Sequence, residues 1–204
     1  MTAAKKLDLF KERKSEYAAK AQPGLVETGP ARYLAIVGRG APGGDEFADK
    51  VGALYAVAFT VKMTWKADGR GDYAVCKLEG QWWVDGAPGD WADVPREEWR
   101  WRLMIRTPDF IGRAEIDRAV AALLSKKKPE VVREVELFDL DEGPCVQMLH
   151  VGPYDEEPAS IAKLHAFAAE QGRELRGLHH EIYLSDARRV APEKLRTILR
   201  MPVA

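Results

Sequence analysis

Cysteine is scarce in this chain of 204 residues, which has only Cys76 and Cys145. Two cysteines cannot make a disulfide framework or a cysteine-based zinc site on their own. Net charge is almost missing too: 31 Lys+Arg oppose 32 Asp+Glu, a formal charge of −1. That excludes a nucleic-acid binder that depends on a strong basic field. No apolar run approaches membrane-spanning length, and the Met-Thr-Ala-Ala-Lys-Lys start lacks the apolar core of a secretory leader. Histidines number four, and none falls at metal-ligand spacing; His179 and His180 are adjacent and project to opposite faces of a strand. What remains is the expectation of a soluble, cytoplasmic globular protein, one compact domain or two small fused modules. Tryptophan is the exception. Five of the six, Trp82, Trp83, Trp91, Trp99 and Trp101, crowd into one 20-residue window.

Along the chain, Lys5 to Lys20 reads as a short amphipathic lead-in ending before Pro23-Gly24. Arg32 to Gly38 reads as a buried strand. The Gly38–Gly44 loop lacks the Lys-Ser/Thr of a P-loop and the full dinucleotide fingerprint, so it is a turn. Asp45 can cap a helix whose Phe47, Val51, Leu54, Tyr55, Ala58 and Val61 recur at three and four. Two strands, 73–84 and 99–107, and a helix over 113–128 follow. Strands over 131–140 and 146–151, a helix over 158–171, and strands over 178–184 and 196–203 complete the reading.

Gly29-Pro…Val-Gly38 recurs without a gap as Gly143-Pro…Val-Gly152, 114 residues later. Each copy precedes an acidic turn, an amphipathic helix and two strands, and the first of those strands carries a glutamate, Glu79 or Glu181. Two such β-α-β-β units predict a pseudo-twofold α+β fold, with helices on one face of an antiparallel sheet and a ligand cleft on the other. The expected layout is a single domain over 1–204: a lead-in to 28, a first half over 29–110, a connection over 111–142 and a second half over 143–204.

Strand alternation sorts the candidate residues. His179, Glu181 and Tyr183 share one side, a ligand-like set, while His180, Ile182 and Leu184 take the other. Lys77, Glu79, Gln81 and Trp83 lie opposite Trp82, so Trp82 and Trp83 line one cleft only if a bulge follows Gly80. Trp83, beside Glu79, is the expected cleft residue. Bland readings stand beside these: strand tryptophans are commonly core, Glu181 could be a solvated carboxylate, His150 a structural histidine and Tyr55 a core residue.

Together, Ala53-Leu-Tyr55, Leu78-Glu-Gly-Gln-Trp-Trp83, Trp99-Arg-Trp…Phe110, Val146…Tyr154…Pro158, His179-His-Glu-Ile-Tyr-Leu-Ser-Asp186 and Arg188…Arg200 resemble the GyrI-like small-molecule-binding family. The double-Trp strand is similar to its stand-alone subgroup of cyclopropanoid cyclopropyl hydrolases. The resemblance implies a cleft for flat, aromatic or cationic molecules and ring-opening hydrolysis of DNA-alkylating cyclopropanoids. It implies an aromatic cage of Tyr55, Trp82, Trp83, Trp99, Trp101, Phe110 and Tyr154, with Glu181 at the pocket floor. Glu181 would act on water and Tyr154 or Tyr183 on the developing phenolate, with Glu79, His150 and His179 as further lining. No cofactor, metal, membrane or direct nucleic-acid partner is implied. A non-catalytic binder of hydrophobic cations and a gyrase-inhibitor-type protein are the alternatives.

Overall fold

The computed structural model describes residues 6–86 and 94–204; Trp91 lies outside the described residues. Its strands are β1 (Gly24–Glu27), β2 (Ala31–Arg39), β3 (Leu78–Trp83), β4 (Arg100–Thr107), β5 (Glu136–Leu140), β6 (Pro144–Val151), β7 (His179–Tyr183) and β8 (Arg196–Pro202). They form one antiparallel sheet in the order β1-β6-β8-β7-β3-β4-β2-β5. The helices are α1 (Leu9–Glu12), α2 (Asp45–Ala67), α3 (Arg113–Ser125) and α4 (Glu157–Glu170). The repeated halves, β2-α2-β3-β4 and β6-α4-β7-β8, meet along the β3–β7 seam. None of the described helices is long and apolar enough to cross a membrane.

On one face, α2 packs over β2 and β4 and α4 over β6 and β8, so β3 and β7 lie between the helices. Leu54, Val57 and Val61 of α2 are buried with Leu34, Ile36, Leu103 and Ile105. Leu164 and Ala168 of α4 are buried with Val146, Met148, Leu199 and Met201. Gly38 of the repeated frame is a packing requirement: a Cβ there would sit 2.0 Å from the Trp101 ring. Trp101 is wholly buried as a result, its indole donating to the Gly40 carbonyl at 3.1 Å.

The other face is not open. The segment read as a lead-in has one helical turn, α1, and then crosses the sheet, where Tyr17 is buried with Ile182 and Ile198. Beneath it runs an ionic network. Arg106 pairs with Glu16 at 2.6 Å, and Tyr17 donates to Glu79 at 2.9 Å. His180 lies 3.2 Å from Glu79 and 3.0 Å from Glu142, which also pairs with Arg200 at 3.4 Å. Tyr17→Phe deletes the hydroxyl donor to a fully buried carboxylate, and is expected to cost about 1–3 kcal/mol in urea unfolding.

Several boundaries shift. Gly44, not Asp45, caps α2, and Asp45 sits in its first turn. The strand expected over 131–140 begins as a 3-10 turn (Glu130–Glu134), and only Glu136–Leu140 is strand.

Candidate functional site

The β3–β7 register decides which residues meet. Gly80 lies opposite Glu181 and Trp82 opposite His179, so His179, Glu181, Tyr183 and Trp82 share a face. Leu199, a core residue beneath α4, lies opposite Glu181, so this is the face that carries the helices. The cleft residues therefore gather between α2 and α4, on the helix side of the sheet rather than the far side. The far side was misassigned because its apolar set serves the N-terminal segment.

Glu181 is 8% exposed and held at both oxygens. Tyr183 donates its hydroxyl to Oε2 at 2.7 Å, and His179 Nε2 stands 3.2 Å from Oε1. The Trp82 indole donates to the Tyr183 hydroxyl at 3.1 Å, which orients that tyrosine toward the carboxylate. Above Gly80 these groups converge: a Cβ would lie 3.1 Å from the indole nitrogen and 3.2 Å from the Tyr183 oxygen. Gly80→Ala must push one of them aside. The expected result is a stability loss of about 1–3 kcal/mol and weaker ligand binding, read by thermal shift and ligand titration.

Glu157 joins this group. It stands at the start of α4, on the same stripe as Ile161, Leu164 and Ala168, and is 5% exposed. Burial, reinforced by the nearby Glu181 charge, pushes its pKa up to about 9, against a smaller downward pull from the Thr197 hydroxyl. Glu181 is thus a near neighbour of Glu157, whose Oε1 is buried without a hydrogen-bond partner among the described residues. At neutral pH Glu157 therefore keeps its proton, and the site holds a carboxylic acid beside Glu181. Tyr154, also beside these acids, is pushed up to about 12, mainly by burial, and stays a neutral donor.

Aromatic rings surround the acids. Phe47 stacks on Trp82 at 6.0 Å, and Trp99 meets Trp82 edge-on at 6.0 Å. Tyr154 packs edge-on to Tyr183 at 6.0 Å, and is 40% exposed. Tyr55, on α2, is partly buried near Leu78 and Asp186. A 2.7 Å ion pair from Arg96 to Asp155 ties the turn before β4 to the turn before α4.

Five of the expected site residues lie elsewhere. The β3 register is regular, with no bulge, so Trp83 and Glu79 face the opposite side, where Glu79 is wholly buried beside His180. Trp101 is sealed under α2 by its packing on Gly38. Phe110 stacks on Trp65 at 4.5 Å, beyond the end of β4. His150 lies across β8 from the site, bonded to Ser160 at 3.0 Å and facing the Pro153 carbonyl at 3.2 Å. Both cysteines are buried, which pushes each thiol up to about 12 and removes it as a nucleophile. Glu157 and Thr197 were missed. Glu157 could have been singled out in the Asp155-Glu156-Glu157 run, because it alone is in phase with the apolar stripe of α4.

The fold is thus a mixed sheet-and-helix domain in which Glu157 and Glu181 are buried on the helix side of the sheet, beside Trp82, Tyr183 and Tyr154. Residues 103–204 match the GyrI-like small molecule binding domain, and the chain belongs to that family. An uncharacterized conserved protein from Listeria innocua is 40% identical, over 98% of this chain and all of its own, with a TM-score of 0.89. A Listeria innocua structure described as a hydrolase is 38% identical over 98% of this chain and 100% of its own, with a TM-score of 0.86. The C-terminal domain of EcmrR shares the fold alone, at 13% identity and a TM-score of 0.56 over 90% of this chain and 97% of its own. No curated protein matches the chain.

Proposed function

We propose that the cleft binds a flat, apolar small molecule and hydrolyses it, adding water across a cyclopropane ring conjugated to a dienone. Cyclopropanoid DNA-alkylating compounds are the substrate class, and their detoxification is the outcome. The observation that carries this reading is the Glu157–Glu181 pair, a retained proton beside a clamped carboxyl group inside an aromatic enclosure. The hydrolase description of a 38% identical relative supports the reaction class.

The chemistry needs one base and one acid. Glu181, as carboxylate, takes a proton from water while the water oxygen bonds to the cyclopropane carbon. The ring carbon–carbon bond breaks, and its electron pair enters the dienone, which becomes an aromatic phenolate. Glu157 gives its proton to that phenolate, and Tyr154 steadies the developing charge with a hydrogen bond. One proton hop from Glu181 to Glu157 restores the starting state. The Trp82, Trp99 and Tyr183 rings stack the flat substrate, each contact contributing about 0.5–1.5 kcal/mol beyond burial. Regained aromaticity drives the step, so positioning and proton transfer are all the site must supply.

The test uses a synthetic spirocyclopropyl dienone in excess over protein, followed by loss of dienone absorbance. Repeated turnover to the water adduct supports the reading. A loss that stops at one equivalent would make the domain a sequestering module instead.

A further inference from the structure

On the sheet face opposite the cleft, Arg102, Gln81, His180, Arg200 and Gln147 form a row of directly opposed residues across five strands. Three guanidinium groups on this face have carboxylate partners: Arg106 has Glu16, Arg200 has Glu142 and Arg100 has Asp85. Arg102 has no ion pair among the described residues. Its Nη1 donates to Gln81 at 2.7 Å, while its Nε is buried and meets no acceptor. The guanidinium lies 4.0 Å from the centre of the Phe138 ring and 5.8 Å from that of Trp83. Burial lowers its pKa, and only the exposed Glu136 pulls the other way. Next to it are Val37, which is 37% exposed, and Arg100, which is tied to Asp85 at 2.5 Å.

A half-buried cation without a counter-ion is costly, and proteins normally offset that cost with an acid, as Arg106 and Arg200 illustrate here. A guanidinium has donors and no acceptor, so its missing partner is an anion. The two rings beside it suit a flat molecule. We propose that Trp83, Arg102 and Phe138 form a second binding site, for a flat aromatic anion whose carboxylate or phosphate pairs with Arg102. It is separate from the cleft, since Trp82 and Trp83 face opposite sides of the sheet.

Calorimetric titration of the full chain with naphthoate, naphthyl phosphate and neutral naphthamide tests this. At least one anion should bind at least about tenfold more tightly than the amide, and the tighter one identifies carboxylate or phosphate as the preferred group. Arg102→Met should weaken that anion at least about tenfold, and Arg102→Lys, which keeps charge but loses the fork, by less. Gly80→Ala, which weakens binding in the cleft, should bind it as the wild type does. Equal binding of the amide, no binding of either anion, or indifference to both Arg102 substitutions would overturn the proposal. So would loss of binding in Gly80→Ala, which would place the anion in the cleft.

Discussion

Glu181→Gln is expected to cut turnover by about 10²- to 10⁴-fold while ligand affinity changes little. Glutamine keeps the shape of the side chain and can still accept the Tyr183 hydroxyl, but it cannot take a proton from water. The rate should also carry the signature of Glu157. Because Glu157 must hold a proton to act as acid, and its pKa is about 9, turnover should fall as pH rises through about 9. Glu157→Gln should be slower than the wild type and should lose that alkaline fall, since an amide has no such proton to shed. Steady-state rates across pH read both effects. A Glu157→Gln profile that keeps the fall near pH 9 would assign the limb to another group.

His180→Ala is expected to destabilise the fold by about 3–5 kcal/mol, the range for breaking a buried charge pair. His180 is wholly buried between Glu79 and Glu142, so its loss leaves Glu79 without its cation and Glu142 with Arg200 alone. Burial alone would lower its pKa, but the larger combined pull of Glu142 and Glu79 raises it to about 9, against an ordinary 6.5. A raised pKa gives stability that is complete below 6.5 and is lost as pH rises through about 9. Glu142 has the opposite sign. Its pKa is lowered to about 2 despite burial, by His180 and then Arg200, so its contribution is present above 4.5 and is lost as pH falls toward 2. The urea midpoint should therefore decline at both ends of the range, and His180→Ala should flatten the alkaline decline. Glu157→Gln should remove the limb in rate and, because the raised pKa of Glu157 itself costs stability as pH climbs from 4.5 to about 9, should also soften the alkaline decline in stability, leaving the part due to His180.

Much of the architecture was legible because the patterns that encode it are local. The Gly-Pro…Val-Gly repeat marked β2 and β6, and alternation put His179, Glu181 and Tyr183 on one side of β7, as observed. The choice of face failed for a physical reason. Ile182 and Ile198 look like residues destined for a helix, but a nearly irregular segment around Tyr17 covers them, and irregular backbone has no periodicity to read. That error carried Trp83 and Glu79 into the expected cleft. β1 was missed because Gly24–Glu27 is an edge strand of only four residues, too short for its alternation to stand out. Trp101 was drawn into the cage by its neighbours, although the glycine opposite it, Gly38, is what lets its ring lie flat in the core. The acid pair was invisible for another reason: Glu157 and Glu181 are 24 residues apart, and only the packing of α4 over β6 and β8, next to β7, joins them.

The central claim is that the Glu157–Glu181 pair adds water to a strained ring. Turnover of the spirocyclopropyl dienone in heavy-oxygen water, with product mass as readout, tests it most directly. The account predicts many products per protein, each with one labelled oxygen on the carbon released from the ring, and almost none from Glu181→Gln. Unlabelled product, or one dienone consumed per protein with the compound retained, would contradict it.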